Sequence, residues 1–433
     1  MRGEVTLGGA KNVALKLSVA SLLTDEEIVI HNVPVITDVL LMLEILEHMG
    51  VTVRRERHTV TIKNGSLRSC EVPLDTGAHL RTSSMVIGPL LARYGEAKIP
   101  NPGGCRIGAR PIDRHIDGLR QMGATIDYHT QDGYFYATSS MLHGVRYRFP
   151  KNSHTGTETM MLAAVLAKGT TVLENAAEEI EIDDLIAFVN QMGAKVRRTK
   201  SREIVIDGVD SLHGTTYTIM PDRNEEVTFA IAAAVTGGDI VIHDSQRQNL
   251  TSFIEMFIKV GAIVEPIDEK TTRYSRKGSI HPTDIITALH PGFMTDWQAP
   301  WAVLMTQADG VSTVHETIFE SRFSYVSELK KLGASIDFFD PPVENPQAYY
   351  NFNWKDRIEG YHHAIRISGP TPLHNAILDI DDLRAGATLV LGALAASGES
   401  YIHGVEQIDR GYERIEEKLQ ALGAQITRIK EDI

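Results

Sequence analysis

Asp184–Ala194 reads DLIAFVNQMGA, an amphipathic helix that stops on Met192-Gly193-Ala194 before an alternating run resumes. The same ending recurs at Met49-Gly50-Val51, Met122-Gly123-Ala124, Val260-Gly261-Ala262, Leu332-Gly333-Ala334 and Leu422-Gly423-Ala424. The glycines stand at 50, 123, 193, 261, 333 and 423, so the steps are 73, 70, 68, 72 and 90 residues. A long, nearly fixed period means an architecture of equivalent units. Ahead of each signature lies a helix rich in Ala, Leu, Val and Met: Asn12–Leu23, Arg81–Tyr94, Thr157–Ala167, Asn224–Thr236, Asp296–Ala308 and Asp382–Ala396. These are apolar almost all round, which predicts burial, whereas the signature helices carry a charged face. Short strands follow the apolar helices at Ile28–His31, Thr171–Leu173, Ile240–His243, Ser312–His315 and Ser400–His403. Beyond the signature glycine the strand often folds back, as at Thr125–Tyr128 and Tyr134–Ala137 around Asp132-Gly133.

The unit is therefore helix-strand-helix-strand-strand, and the fold class is α/β. Three units before about residue 220 and three after predict two similar domains, 12–220 and 1–11 plus 221–433, with the site in a cleft between them. The long fifth-to-sixth step is accounted for by Pro341–Ile367, whose Pro, Asn and aromatic residues read as an ordered surface loop.

Composition narrows the function classes. The formal net charge of -13 over 433 residues argues against a nucleic-acid partner. No apolar stretch is long enough to cross a bilayer, MRGEVTLGGAKN has no signal-peptide core, and two cysteines make no disulfide framework. A cytoplasmic location is expected. The 17 histidines show no metal-ligand spacing, so no metal site is expected.

Polar groups collect where elements begin. Lys11 precedes the first helix, Arg81 opens the second, Lys151 lies ahead of the third, and Asp296, Asp382 and Arg384 open the fifth and sixth. Arg110, Arg322 and Arg410 stand in the loops leading to signature helices. Helix N-termini together with Lys and Arg make sites for phosphate and carboxylate. Taken singly, a terminal Arg reads as a solvated ion pair and Asp296 as a helix cap; it is the recurrence at equivalent positions that points to function for the set. Cys105, in the Gly-rich cationic stretch 102–110, is expected to be reactive, with a packed apolar thiol as the alternative; Cys70 is expected to be structural. Met160, Met161, Trp297 and Trp301 fit the core better than a cofactor site.

Seven motifs in order then point one way: Gly9-Ala10-Lys11-Asn12, GGCRIGARPIDRH at 103–115, Pro221-Asp222-Arg223, Thr295-Asp296, ETIFESRF at 316–323, Asp382–Ala387 and IDRGYERIEEKL at 408–419. Together they resemble the UDP-N-acetylglucosamine 1-carboxyvinyltransferase family of enolpyruvyl transferases. The resemblance implies a two-domain inside-out α/β barrel of six units, three per domain. It implies transfer of the enolpyruvyl group of phosphoenolpyruvate to the 3′-hydroxyl of UDP-N-acetylglucosamine by addition and elimination, without metal or organic cofactor, opening peptidoglycan precursor synthesis.

By motif, it implies that Lys11, Arg110 and Arg410 hold the donor phosphate, Arg322 and Arg384 its carboxylate, and that Arg81 adds charge nearby. Cys105 would be the general acid and the cysteine that fosfomycin alkylates. Asp296 would be the base on the sugar hydroxyl, and Asp382 would assist proton transfer. Asn12 would contact the sugar nucleotide, with Arg110, Pro111, Ile112, Asp113, Lys151, Ser153, His154, Thr155 and Ile318 on the uridine side.

The chain departs from the family at several places. Arg106 and Arg114 stand where the family has smaller or apolar residues, Glu226 and Val227 where it has small ones, and KNSHTGT at 151–157 replaces a Gly-Ala-Thr form. The family also carries a longer stretch before Gly3, with a strand that docks on the second domain. A lone strand is expected after Gly423, leaving an open edge. Two other readings stay open: 3-phosphoshikimate 1-carboxyvinyltransferase, which would lack the Gly-Gly-Cys loop, and a catalytically silent relative that binds a UDP-sugar.

Overall fold

The computed structural model describes residues 1–65, 67–103, 107–108, 111–380 and 382–429. Expectations for Cys105, Arg106 and Arg110 therefore lie outside the described residues.

The signature glycines work as helix stops. Gly50, Gly123, Gly193, Gly261, Gly333 and Gly423 have φ of 99°, 103°, 102°, 90°, 96° and 90°. A side chain at such a φ is strained, so glycine is the residue that turns the chain there. The following amide reaches back to close the helix: Ala124 N donates to Leu119 O, Ala194 N to Val189 O, Ala334 N to Leu329 O and Ala424 N to Leu419 O, each at 3.0 Å. This doubly bonded helix end satisfies carbonyls that would otherwise be left open.

The chain divides into two compact units. One comprises Gly9–Cys105 and Arg110–Met220; the other comprises Met1–Gly8, Arg106–Ala109 and Pro221–Ile433. The first boundary thus falls between Gly8 and Gly9, three residues earlier than the expected division, and Lys11 belongs with residues 9–220.

In the unit of residues 9–220, three sheets surround apolar helices. Helices Lys11–Ala20, Ile87–Tyr94 and His154–Ala164 match the expected apolar ones, with the second preceded by a 3-10 turn at Arg81–Val86. Met160 and Met161 are fully buried there, as expected of core residues. Strand Arg146–Arg148 leads through helix His154–Ala164 to Thr170–Glu174 and pairs with it in parallel. A parallel pair needs a crossover, and the apolar helix supplies it.

The unit of residues 221–433 repeats the plan. Strand Ile285–Ile286 pairs in parallel with Gly310–His315 across helix Gln298–Thr306, and Ile377–Asp379 with Tyr401–His403 across helix Leu383–Ala395. Helices Arg223–Val235, Gln298–Thr306 and Leu383–Ala395 touch one another and bury nearly every residue, including Trp301. The short leading strands do not show in the sequence because two or three residues leave too little alternation to read.

Two edges differ from expectation. Arg2–Thr6 forms a strand and pairs in parallel with Asp239–His243, so the present N-terminus supplies an edge strand to this unit. After Gly423, residues 424–429 form no strand, so the expected lone strand is not there.

Candidate active site

In the unit of residues 221–433, three helix beginnings bring charged side chains together. Asp296 lies in the 3-10 turn Thr295–Trp297 that opens helix Gln298–Thr306. Trp297, not Asp296, holds the N-cap position of that helix, and Asp296 lies one residue before it. Its carboxylate instead stands between two arginines: Arg322 Nη2 is 2.6 Å from Oδ1, and Arg384 Nη2 is 3.6 Å from Oδ2. The arginine side chains are only 6% and 9% exposed, against 22% for Asp296, so the pair is largely desolvated around a carboxylate that still reaches solvent. A half-buried guanidinium–carboxylate contact of this length is strong and directional.

Arg384 sits in the first turn of its helix, where Asp382 Oδ1 accepts hydrogen bonds from its amide and that of Ala385. Arg384 Nη1 also donates to Tyr412 Oη at 3.1 Å, and Tyr412 shares a 2.8 Å hydrogen bond with Thr228. Tyr412 is fully buried, and burial pushes its phenol up, which keeps it neutral. Its ring lies 5.5 Å from the Arg384 guanidinium, so it fixes that arginine by both edge and face. Arg410 precedes it by two residues and donates to Gln407 at 3.2 Å. On the other side of Asp296, Trp297 donates its indole N–H to Asn224 at 2.9 Å, and Thr295 donates to Glu316 at 2.8 Å. Ile318, half-buried, follows in the turn that Glu316 closes.

The unit of residues 9–220 carries the other candidates. Lys11, the first residue of helix Lys11–Ala20, has its Nζ 2.6 Å from Asp38 Oδ2, and both side chains are nearly buried. Asn12 follows on the same helix, half-buried. A second group gathers at the start of helix His154–Ala164. Ser153 caps it by accepting from Gly156 N at 3.1 Å. Thr155 hydrogen-bonds His115 Nε2 at 2.9 Å, and Arg114 donates to the Asn152 carbonyl at 3.2 Å. His115 is held down to about 3 by burial, then by Arg81 and Arg114, so it is neutral at ordinary pH. Partial burial, and then Arg114, also lowers the Lys151 ammonium. His154 points to Glu158 at 3.1 Å; burial opposes its charge, but that carboxylate pushes it up. Pro111 and Asp113 are exposed and Ile112 is buried, at the start of helix Asp113–Gln121.

The structure therefore brings together Asp296, Arg322 and Arg384 in one unit, and Arg81, Arg114, His115, Lys151 and Thr155 in the other. Asp38, His115, Glu316 and Tyr412 were not assigned roles from the sequence. Asp38 gave a signal: a buried acid in the first turn of the signature helix Thr37–His48. Cys70 is half-buried, and burial, then Glu96, pushes its thiol up to about 11, which makes it inert as expected.

A family model for EPSP synthase (3-phosphoshikimate 1-carboxyvinyltransferase) matches residues 1–419. A UDP-N-acetylglucosamine 1-carboxyvinyltransferase of Acidobacterium capsulatum is 42% identical over 99% of this chain and 93% of its own length. The chain belongs to the UDP-N-acetylglucosamine 1-carboxyvinyltransferase family. The enzyme of the same name from Methylacidiphilum infernorum is 41% identical over 99% of this chain and 96% of its own length. Among solved structures, the enolpyruvyl transferase NikO from Streptomyces tendae superposes with a TM-score of 0.84 at 22% identity, over 98% of this chain and 95% of its own. EPSP synthase from Acinetobacter baumannii gives 0.71 at 20% identity, over 97% and 95%. These superpositions establish the mixed α/β enolpyruvyl transferase fold. No helix among the described residues is long and apolar enough to cross a membrane.

Proposed function

We infer that this chain transfers the enolpyruvyl group of phosphoenolpyruvate to UDP-N-acetylglucosamine with release of phosphate, the first committed step of peptidoglycan precursor synthesis. The observation that carries the site reading is Asp296 seated between Arg322 and Arg384 with its outer edge open to solvent. Opposite charges at these distances favour the ionised carboxylate, which is the form a general base needs. In this reading Asp296 takes the proton from the 3′-hydroxyl as that oxygen attacks C2 of the donor. Arg322 and Arg384 hold the donor carboxylate, and their fixed guanidiniums are suited to planar two-oxygen recognition. Lys11, Arg110 and Arg410 hold the phosphate, with Arg81 adding charge. Cys105 delivers the proton to C3 as the oxocarbenium-like centre forms. The resulting tetrahedral ketal loses phosphate when a proton leaves C3, with Asp382 assisting. Preorganised charge in a partly dry site supplies much of the rate.

On the acceptor side, the reading assigns Asn12, Pro111, Ile112, Asp113, Lys151, Ser153, His154, Thr155 and Ile318. The depressed Lys151 ammonium supports this, because an anionic diphosphate would offset both its partial burial and the neighbouring Arg114. The six-unit inside-out barrel is part of the same proposal. It is supported by helix stops at six signature glycines and by parallel strand-helix-strand crossovers in both units.

Phosphate release measured with phosphoenolpyruvate and each acceptor tests the activity. Turnover is expected with UDP-N-acetylglucosamine and not with 3-phosphoshikimate; the reverse preference, or none, contradicts the reading. Prolonged exposure to fosfomycin is expected to abolish turnover irreversibly, and full activity afterwards would remove Cys105 from the mechanism.

A further inference from the structure

Residues 340–363 interrupt a hairpin. Strands Ser335–Phe339 and Ala364–Gly369 pair antiparallel, with Phe339 directly opposite Ala364. The hairpin of Thr125–His129 and Tyr134–Thr138, at the same place in its own unit, closes with His129 opposite Tyr134 through a short turn. The interrupted hairpin is thus the reason the last step between signature glycines is 90 residues while the others run from 68 to 73.

The excursion is packed. Asn345 caps the short helix Pro346–Tyr349. Tyr350 stacks on Trp354 at 4.8 Å and 10°, and Tyr350 and Phe352 are buried. The Arg357 guanidinium lies 4.1 Å over the Trp354 ring. Ordering this many residues costs conformational entropy, and aromatic packing offsets it.

Its contacts converge on three consecutive residues. Tyr350 Oη shares a 3.0 Å hydrogen bond with His315 Nε2, and Tyr349 stacks on the same imidazole. Glu316 N donates to His363 O at 2.8 Å, and Asn351 N donates to Thr317 O at 2.8 Å. From there the path runs into the candidate site. The buried Glu316 carboxylate accepts from Ile318 N at 2.7 Å and Phe319 N at 3.1 Å through one oxygen, and from Thr295 Oγ1 at 2.8 Å through the other. Thr295 is the residue before Asp296.

We propose that the excursion 340–363 is a positioning element for the acceptor: by fixing His315, Glu316 and Thr317 it sets the Ile318 turn and, through Glu316 and Thr295, the approach of Asp296 to the sugar. The proposal rests on the reading of Ile318 as an acceptor contact. The excursion's own contacts lead to the Ile318 turn rather than to the side chains that hold the donor, so its effect is expected on acceptor binding more than on donor binding.

The test replaces Pro341–His362 in the full chain by Asn-Gly, a two-residue insert suited to a tight turn, and also makes Tyr350→Phe, which removes a single hydroxyl. Hydrogen exchange of the 315–323 peptide is expected to speed up about tenfold on excision, and the KM for UDP-N-acetylglucosamine to rise about tenfold, with the KM for phosphoenolpyruvate within about twofold. Tyr350→Phe is expected to move the first two readouts the same way by about two- to threefold. Unchanged exchange in a folded excised enzyme overturns the brace. Faster exchange with an unchanged acceptor KM, where Ile318→Ala raises that KM, overturns its link to the acceptor alone. If Ile318→Ala also leaves the KM unchanged, the acceptor reading of Ile318 fails and the proposal fails with it. Should the excised chain not fold, Tyr350→Phe with neither shift overturns the proposal.

Discussion

Two clusters of charge, one in each compact unit, are built in opposite ways. Around Asp296, two arginines meet a carboxylate of the same unit, and a buried tyrosine fixes one of them. Around Lys151, partial burial and then the basic Arg114 oppose the ammonium, and burial, then Arg81 and Arg114, keep His115 neutral. The first arrangement is ready for proton transfer and for recognition of a planar carboxylate. The second gains when an anion arrives. In the proposed reading the base and the recognition of the donor carboxylate fall to residues 221–433, whereas much of the acceptor recognition, together with Lys11, Arg81, Arg110 and Cys105, falls to residues 9–220.

The strongest way to break this division is Asp296→Asn. The amide keeps the shape and can still accept from Arg322, but it cannot take a proton. Turnover is expected to fall roughly thousandfold, within the range for loss of a general base, with the fold intact by circular dichroism. A fall of only a few fold would place the base elsewhere.

Arg384→Lys sharpens the donor half. Lysine keeps the charge and loses the fork that meets both Asp296 and Tyr412. The KM for phosphoenolpyruvate is expected to rise roughly 30-fold, about 2 kcal/mol for charged hydrogen bonds lost. An unchanged donor KM would separate Arg384 from carboxylate recognition.

His115 probes the other unit through pH. Its folded value of about 3 lies well below the ordinary one of about 6.5. As pH falls through about 6.5, the unfolded chain takes a proton that the folded chain refuses, so stability falls with pH until about 3. From pH 7 to pH 5 this amounts to about 2 kcal/mol. Urea unfolding of the wild type and of His115→Gln at both values should show a smaller pH loss in the variant; equal losses would mean that His115 is not kept neutral.

Much of this was legible in the chain because repetition amplifies weak signals. One Gly after Met192 is a modest helix stop, whereas six at nearly even spacing fixed the helix ends, and all six have positive φ. The apolar helices were legible because crossover helices are buried all round, as Trp301 and Phe229 are. The leading strands were not, since Ile285–Ile286 is too short to show a period. The site was legible only as residue types at element starts. Arg322 and Asp296 are 26 positions apart, and their 2.6 Å contact depends on how helix and strand pack. Tyr412 was quoted within a motif yet gave no hint of its bond to Arg384, because a tyrosine two residues after an arginine has many possible partners. The Pro, Asn and aromatic residues of Pro341–Ile367 read as an ordered surface loop, but its last four residues belong to strand Ala364–Gly369 and Tyr350 and Phe352 are buried; the grip on Thr317 is a tertiary contact with no sequence trace.

The measurement that bears most directly on the division of labour is calorimetric titration of UDP-N-acetylglucosamine into Lys151→Ala and Arg384→Lys. Lys151→Ala is expected to weaken binding about tenfold, about 1.4 kcal/mol, while Arg384→Lys stays within about twofold of the wild type. Weaker acceptor binding in Arg384→Lys with unaltered binding in Lys151→Ala would contradict the account.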